Sequence, residues 1–418
     1  MPFRIALSGL NAASTDLEVT GNNIANSATN GFKQSRAEFA DLYASSIQDT
    51  SSNAVGQGVR VARVAQQFSQ GSIDFTSNNL DLAISGQGFF VLEASDGTQA
   101  FTRSGAYSVD RDGYVINHAN DKLQIYEAVS GINGTTTFNT GVLQDLQLPT
   151  TPSAPNPSTM ISAAINLNSS QEVPTAAFNT ANPASYNGST STTVYDSLGN
   201  AHTTTTYFRK TGPNAWDQYL YIDGTNVPPA GQAAGTPFAL AFDSAGALST
   251  VNGVASTTAA TEPHDPGNGA GNISLNLELA GTTQYGTAFA VNNLSQDGFT
   301  SGRLAGVDID TEGVIFARYT NGQSSALGKV ALAKFNNQQG MRQVGDTNWA
   351  ESFSSGGPQL GEAGTSSFGQ IQSGALEASN VDIAAQLVNL ITAQRNFQAN
   401  AEVISTADSI TQTIINIR

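Results

Sequence analysis

Cysteine is absent from this chain of 418 residues, and charged side chains are scarce. Without cysteine the chain can form no disulfide, no thiolate metal site and no cysteine nucleophile. Charged residues make up only 12% of the sequence, roughly half of ordinary usage. Acidic residues outnumber basic ones by 33 to 17, and the formal net charge of −16 argues against nucleic acid as a partner.

Cations are almost missing from the middle of the sequence. Between Lys122 and Arg303, the only lysine or arginine residues are Arg209 and Lys210. This stretch therefore cannot neutralise a phosphate backbone or an anionic membrane surface. No apolar run approaches the ~18 residues of a membrane helix. Polar residues interrupt the short apolar patch at the start, so we expect neither a cleaved signal peptide nor membrane insertion.

Both ends of the chain have the apolar spacing of long helices. We expect an N-terminal helix of about 35 Å and a C-terminal helix of up to about 60 Å, each with a narrow apolar seam. Asn380 and Asp382 are suited to the start of the C-terminal helix. The N-terminal seam consists of Phe3, Ala6, Leu10, Ala13, Leu17, Thr20 and Ile24. The C-terminal seam consists of Leu376, Ile383, Leu390, Phe397 and Ile404, with Leu387, Ala401 and Ile415 in companion positions.

The C-terminal helix also has a second apolar stripe, which makes its last part apolar on two sides. An isolated pair of helices with such seams is marginally stable in water. We therefore expect the seams to pair with other copies of the chain. The second stripe consists of Val403, Ile410, Ile414 and Ile417.

The segment GNNIANSATNGFK, residues 21–33, places three asparagines, Asn22, Asn23 and Asn26, within five residues of the N-terminal helical pattern. Asparagine is a poor helix former and a good cap. Ile24 nevertheless continues the seam, so we expect the helix to pass through Asn22 and Asn23 and to end between residues 26 and 30. Two roles stay open for these asparagines and Asn26. Their amides could fix register against residues 394–400 of another copy, as a polar residue does in a coiled coil, or they could cap the helix.

Between the helices the sequence predicts β structure, with aromatic and β-branched runs separated by Gly, Asn and Asp. Four segments place Asp three residues before Gly, which favours type I turns in hairpins and hence antiparallel sheets. The Pro- and Ser-rich residues 148–160 are typical of a linker. The four turn pairs are Asp110 and Gly113, Asp196 and Gly199, Asp243 and Gly246, and Asp310 and Gly313.

These patterns predict a multidomain α+β fold. Long N- and C-terminal helices are expected to form a coiled-coil-like inner domain, with nested antiparallel β domains between them. The expected segments are an N-terminal helix (1–29), an extended or β-hairpin connector (30–71), the first half of an inner β domain (72–147), an inserted outer β domain (148–295), the second half of the inner β domain (296–365), and a C-terminal connector with its long helix (366–418).

Candidate sites for chemistry are weak. Residues 308–313 match the opening of a calcium loop, but Tyr319 replaces the glutamate at its twelfth position, which favours a hairpin turn. The segment Gly86-Gln-Gly88 lacks the third glycine and the lysine of a phosphate loop, which favours a β-bulge or a tight turn. The three histidines share no metal-binding spacing and are expected at surfaces or strand edges. We predict no enzyme activity, cofactor or metal site. The histidines are His118, His202 and His264.

Three segments of this sequence resemble the flagellar rod and hook axial protein family. Residues 3–33, FRIALSGLNAASTDLEVTGNNIANSATNGFK, are similar to the shared N-terminal motif of that family. Residues 373–404, SGALEASNVDIAAQLVNLITAQRNFQANAEVI, look like its C-terminal counterpart. Residues 80–117, which contain SGQGFFVLEASDG, resemble its first β domain. The inserted TTVYDSLGNAHTTTTYF and the later GKVALAKFNNQQGMRQVGDTNWAESFSSG favour the hook branch of the family over the shorter distal rod branch.

The resemblance implies a structural subunit that polymerises into a curved, flexible tube and transmits motor torque as a universal joint. It implies an extracellular location in the flagellar hook and export without a cleaved signal peptide. The implied partners are other copies of the chain, the distal rod protein, the hook–filament junction protein, the hook cap protein and the flagellar type III export apparatus. A distal rod subunit and a secreted β-rich adhesin or glycan-acting protein are the alternatives.

The terminal helices are therefore the candidate self-assembly site. The candidate residues are Leu10, Leu17, Asn22, Asn23, Ile24, Asn26, Ile383, Leu387, Leu390, Phe397, Ala401 and Ile404.

Overall fold

The computed structural model describes residues 2–42, 56–130, 136–365 and 367–416. It divides into two compact units. Unit 1 combines both ends of the chain and contains residues 1–150, 306–318 and 324–418. Unit 2 contains residues 151–305 and 319–323.

Unit 1 contains two helices, one near each end of the chain: α1 (Pro2–Ala25) and α2 (Ile383–Asn416). The predicted passage of α1 through Asn22 and Asn23 is confirmed. At the start of α2, the Asp382 carboxylate accepts hydrogen bonds from the amides of Ala384 and Ala385, at 2.9 and 3.2 Å. The side chain of Asp382 therefore caps α2, as its position in the sequence predicts.

The part of unit 1 that precedes unit 2 contains ten strands among its described residues. Strands β1 and β2 pair as an antiparallel hairpin beside α1, and β9 and β10 form a second, irregular hairpin. These strands are β1 (Ser35–Asp41), β2 (Val59–Gln66), β3 (Ile73–Phe75), β4 (Leu82–Ser85), β5 (Phe89–Glu93), β6 (Gln99–Thr102), β7 (Ser108–Val109), β8 (Val115–Ile116), β9 (Lys122–Ser130) and β10 (Thr136–Asp145).

Unit 2 packs a six-stranded sheet and a four-stranded sheet around one apolar core. Trp216 is fully buried in this core with Phe208 and Phe238, and its indole N–H donates to Gln284 Oε1 at 2.6 Å. The strands are β11 (Met160–Asn166), β12 (Gly188–Tyr195), β13 (Ala201–Gly212), β14 (Ala215–Ile222), β15 (Thr225–Asn226), β16 (Phe238–Phe242), β17 (Leu248–Val251), β18 (Thr258–Ala260), β19 (Asn276–Glu278) and β20 (Ala290–Gln296).

The larger sheet of unit 2 has the order β12-β13-β14-β16-β17, with β15 beside β14, and its pairs are antiparallel. The smaller sheet has the order β18-β19-β11-β20. There β11 and β19 run parallel, which the hairpin signals did not predict.

The chain then returns to unit 1 and completes its main sheet. The path of this sheet is β21-β22-β23-β9-β5-β6-β25-β24, so strands from before and after unit 2 are interleaved. Phe89, Phe101, Phe335 and Trp349 form its aromatic core, in which the Phe101 and Phe335 ring centres lie 4.8 Å apart. The returning strands are β21 (Leu304–Ile309), β22 (Val314–Tyr319), β23 (Ser324–Lys334), β24 (Arg342–Gly345), β25 (Asn348–Ala350), β26 (Gln359–Glu362), β27 (Gln370–Ser373) and β28 (Ala375–Glu377).

All four predicted turns of the Asp-x-x-Gly type are confirmed as hairpin turns. In each, the Gly amide donates to the Asp carbonyl oxygen, at 3.0 to 3.2 Å. Each Asp carboxylate also accepts amides two and four residues later, which closes the turn from inside. The turn at Asp310 joins β21 to β22, so the hairpin interpretation of residues 308–313 is confirmed.

Gly86 and Gly88 form a tight turn between β4 and β5, as predicted. Their φ angles are +121° and +129°, which L side chains rarely adopt. A Cβ atom on Gly86 would also lie 2.9 Å from the Cα of Gly369. Both positions therefore require glycine for backbone reasons.

Candidate self-assembly site

Helices α1 and α2 pack antiparallel through a seam of small residues. Gly9 lies against Asn400, and a Cβ atom on Gly9 would be 2.4 Å from the Asn400 side-chain oxygen. Farther along, Asn23 lies beside Gln386. A larger residue at position 9 would therefore require the Asn400 side chain to move. The most buried seam residues are Ala6, Ala13, Thr20, Asn23, Gln386 and Ala393.

The nine apolar residues of the candidate self-assembly site divide into two groups, whereas Leu376 of the predicted C-terminal seam lies in strand β28, outside α2. Seven of them are half-buried, whereas Ile383 and Leu387 are 51% and 46% exposed. The apolar pattern therefore describes more surface than one helix pair can cover. The half-buried residues are Leu10, Leu17, Ile24, Leu390, Phe397, Ala401 and Ile404.

Asn23 makes its hydrogen bonds within its own chain. Its side-chain amide donates to the Ser35 carbonyl oxygen at 2.7 Å and to Gln386 Oε1 at 3.3 Å. Its side-chain oxygen accepts the Ser35 amide at 2.8 Å. Within its own chain, this buried side chain thus joins α1, β1 and α2. A partner of Asn23 on another copy stays a prediction.

Asn22 and Asn26 lie at the end of α1, where the capping alternative applies. The Asn26 side chain donates to the Asn22 carbonyl oxygen at 3.0 Å and accepts the Thr29 hydroxyl at 3.2 Å. Both asparagines line a polar groove that also includes Trp349 and His118. They therefore finish the helix and face a surface of unit 1.

Asn380 does not cap α2, although its position suggested this role. Its side-chain oxygen accepts the Gln34 amide at 2.8 Å, and its side-chain nitrogen donates to the carbonyl oxygens of Gln67 and Ser69. Asn380 thus fastens the segment before α2 to both ends of the hairpin formed by β1 and β2.

A buried ionic cluster lies where the two chain ends meet the β structure. Glu377 is 0% exposed and contacts the Lys33 ammonium group and Arg103, whose Nη1 is 3.0 Å from Glu377 Oε2. Glu377 also accepts the Gly71 amide at 3.0 Å, and Lys33 donates to the Ser69 carbonyl oxygen at 2.8 Å. Burial lowers the pKa of Lys33, and Glu377 opposes that effect. The cluster fixes four separate segments to one another.

The sequence analysis missed this ionic cluster. Lys33 closes the N-terminal motif and Glu377 lies in the C-terminal one, so both ends were marked by the family resemblance. Nothing in the spacing of Lys33, Arg103 and Glu377 indicates that they meet, because the contact depends on the fold of the strands between them.

The helix pair keeps a large apolar surface in contact with solvent. On α1, Phe3 is 52% exposed, and Ile5 and Leu7 are also exposed. On α2 the exposed apolar residues occur in both halves of the helix. Ile417 of the predicted second stripe lies outside the described residues. Exposed apolar side chains in this number are typical of an interaction site. The exposed residues of α2 are Ile383, Leu387, Val388, Ile391, Val403, Ile410 and Ile415.

Unit 2 contains a buried histidine that the sequence analysis placed wrongly. His202 is only 7% exposed on the inner strand β13, between Asp223 at 2.6 Å and Asp196 at 3.2 Å. Burial by itself lowers the pKa of His202, but hydrogen bonds to the two carboxylates outweigh it and raise the pKa above its ordinary value. The prediction of a surface position is confirmed for His118, whereas His202 could be buried because it has two anionic partners.

Other kinds of site find little support in the part of the chain that the structure describes. There, no group of three or more His, Cys, Asp or Glu side chains has an arrangement that could hold a metal ion. Neither described helix is long and apolar enough to cross a membrane. The strongest candidate site is therefore the helix pair with its exposed apolar surface.

Four family models match successive parts of the chain. Residues 3–33 match the model described as "Flagella basal body rod protein", and residues 83–166 match "Flagellar hook protein FlgE/F/G D1 domain". Residues 166–299 match "Flagellar basal body protein FlaE D2 domain". Residues 372–417 match "Flagellar basal body rod FlgEFG protein C-terminal". The models that match the two ends are both named for basal body rod proteins, and the D2 match covers most of unit 2.

Among solved structures, the Helicobacter pylori flagellar hook protein FlgE2 has a similar fold. Its TM-score is 0.52 at 15% identity, over 73% of this chain and 100% of that one. Curated relatives are much more similar in sequence. The flagellar hook protein FlgE of Escherichia coli K12 is 41% identical over 100% of both chains, and that of Salmonella typhimurium LT2 is 39% identical over 100% of both. The chain therefore belongs to the flagellar hook protein FlgE family.

Proposed function

We propose that this chain is the structural subunit of the bacterial flagellar hook and polymerises with copies of itself. The observation that carries the proposal is the full-length similarity to hook proteins, together with a terminal helix pair that leaves apolar faces exposed. In a monomer these faces stay in water and contribute no stability, whereas a polymer buries them between copies.

In the proposed polymer the terminal helices form a coiled-coil-like inner layer, and the β structure lies outside it. We assign residues 1–29 and 366–418 to this inner domain, 30–71 to the connector, 72–147 and 296–365 to the inner β domain, and 148–295 to the outer β domain. The small-residue seam joins α1 to α2, and the exposed apolar residues join neighbouring copies. Polar Thr-, Asn- and Gly-rich faces of the β domains exchange contacts as the tube bends. The polymer then acts as a universal joint that transmits torque from rod to filament.

The proposed location is the hook of the basal body, outside the cell. The chain is exported by the flagellar type III apparatus without a cleaved signal peptide and is assembled beneath the hook cap protein. It contacts the distal rod protein at one end of the polymer and the hook–filament junction protein at the other. The absence of cysteine suits a chain that passes unfolded to the exterior.

Two other functions have less support. A distal rod subunit would share the matches at both ends of the chain, but the D2 match over residues 166–299 favours a hook protein. A secreted adhesin or glycan-acting protein would be a monomer with ordered helices. Native-state hydrogen exchange separates these classes, because our proposal requires the terminal amides to be unprotected before assembly and protected after it.

A truncation tests the proposed role of the helices. A chain without residues 398–418 loses Ala401, Ile404 and the distal half of α2, yet keeps both β units. We expect it to remain unassembled at concentrations where the full chain forms tubes, with near-ultraviolet circular dichroism of the β units unchanged. The matched control removes only residues 417–418. Tubes formed by the long truncation would contradict the proposal.

A further inference from the structure

Five of the seven large apolar residues that are exposed on the described part of α2 form two separate patches. We define the proximal patch as Ile383, Leu387 and Ile391, which are 46% to 51% exposed. We define the distal patch as Val403 and Ile410, which are 45% and 61% exposed. Between them the apolar residues Leu390, Phe397 and Ile404 face the α1 side and are half-buried.

The two patches lie on opposite flanks of the seam with α1. At about 100° per residue, the proximal patch is centred about 110° to one side of the line through Gln386 and Ala393. The distal patch is centred about 100° to the other side. Val388 and Ile415 are also exposed but lie outside both patches. Val388 is on the side of α2 that faces away from α1, and Ile415 is near the seam line beyond the end of α1. One flat partner surface cannot cover both patches.

The distal patch reaches beyond the end of α1. In the antiparallel helix pair, Gly9 lies beside Asn400 and Asn23 beside Gln386. The same alignment places Pro2, the first residue of α1, level with about residue 407 of α2. Ile410 therefore lies on a part of α2 that α1 does not reach. Phe3, Ile5 and Leu7 add exposed apolar surface at the same end of the helix pair. Among the described residues, the interface between the helices thus continues into an exposed apolar surface.

We propose that the proximal patch of one copy packs against the distal patch of the next copy. A contact between two different patches is heterologous, and it repeats without closing into a dimer. Since the patches are centred about twenty residues apart on α2, neighbouring copies are offset by about 30 Å along the helix axis. Each helix pair therefore has one neighbour on each flank, at different heights, as a helical tube requires. This inference rests on the proposed polymerisation and adds its contact and offset.

Crosslinking between introduced cysteines tests the contact, because the natural chain has no cysteine. The test variant carries Leu387→Cys and Ile410→Cys and is treated with a short bismaleimide after assembly. These positions are about 34 Å apart on one helix, so no link can form within a chain. We expect a ladder of dimers, trimers and larger products from tubes, and no ladder from unassembled protein. Each single variant should give monomers.

The matched control replaces Leu387→Cys by Arg395→Cys. Arg395 is exposed on α2 but lies outside both patches, so its combination with Ile410→Cys should give no ladder. If the double variant does not assemble, the Leu387→Cys and Ile410→Cys chains are mixed with excess unmodified chain, and dimers between the two variants are expected.

Two results would overturn the contact: crosslinked dimers from tubes of Leu387→Cys alone, or tubes that contain both cysteines and give no crosslink. Failure of the unmodified chain to form any tube would instead reject the proposed function, before the crosslinker is added. The two failures are thus distinguishable.

Discussion

Replacing Glu377 by glutamine is the most informative single change to unit 1. Glu377 is 0% exposed and is surrounded by the Lys33 ammonium group, the Arg103 guanidinium group and the Gly71 amide. In Glu377→Gln one side-chain oxygen can still accept from Lys33 and Gly71. The new amide group, however, points donor hydrogens at the Arg103 donors, and two buried cations lose their counter-charge.

The expected loss follows from this geometry. Removing one partner of a buried ion pair costs about 3–5 kcal/mol, because the remaining charge stays buried and uncompensated. Domains have a free energy of unfolding of about 5–15 kcal/mol, so this is a large part of the stability of unit 1. The matched control is Glu38→Gln. Glu38 also binds two arginines, Arg36 and Arg63, but at an exposed site where solvent and salt screen the charges.

Urea unfolding followed by tryptophan fluorescence measures the difference. The chain has two tryptophans, Trp349 in unit 1 and Trp216 in unit 2, so a Trp216→Phe background reports unit 1 alone. We expect Glu377→Gln to lower the urea midpoint by about 1–2 M and Glu38→Gln to change it little. Equal, small shifts for both variants would refute the claim that the buried cluster fastens the chain ends.

Three further predictions concern pH and the helix pair. Unit 2 should be fully stabilised by the His202 ion pairs below about pH 6.5 and should lose this stability as pH rises through the raised pKa of His202. In His202→Asn, the urea midpoint of unit 2 should therefore change less with pH between pH 6 and pH 9 than in the unmodified chain. An equal change of the midpoint with pH in both proteins would contradict the pairing. Asn23→Ala should destabilise the packed helix pair by about 1–3 kcal/mol, because it leaves buried groups of Ser35 and Gln386 unpaired. The critical concentration for assembly should therefore rise. An unaltered critical concentration would contradict this prediction. Gly9→Ala should impair assembly, because its Cβ atom would meet the Asn400 side chain. Gly21→Ala has open space at its Cβ atom and should stabilise α1 by about 1 kcal/mol. Equal effects of the two variants on assembly would show that the helices are not in close contact at Gly9.

Local chemistry allowed much of the fold to be predicted. The seam ending at Ile24 predicted that α1 passes through Asn22 and Asn23, because apolar spacing and burial outweigh the low helix propensity of asparagine. The four Asp-x-x-Gly turns were predictable because each Asp closes its turn through its own neighbours in sequence. Asp382 was predictable as a cap for the same reason.

Features that depend on distant residues were not predictable. His202 was expected at a surface, but Asp223, which comes from the end of another strand, allows it to be buried. The cluster of Glu377 with Lys33 and Arg103 joins segments that are far apart in sequence. The partners of Asn23 could not be identified from helical spacing, because they depend on how β1 and α2 pack beside α1.

Electron microscopy of the purified full-length chain at high concentration tests the central claim most directly. The account predicts hollow tubes that curve, with the terminal helices in the innermost layer and the β units outside. A straight, rigid polymer would favour the rod alternative. A chain that stays monomeric at every concentration, with ordered terminal helices, would contradict the claim that exposed apolar helix faces drive assembly.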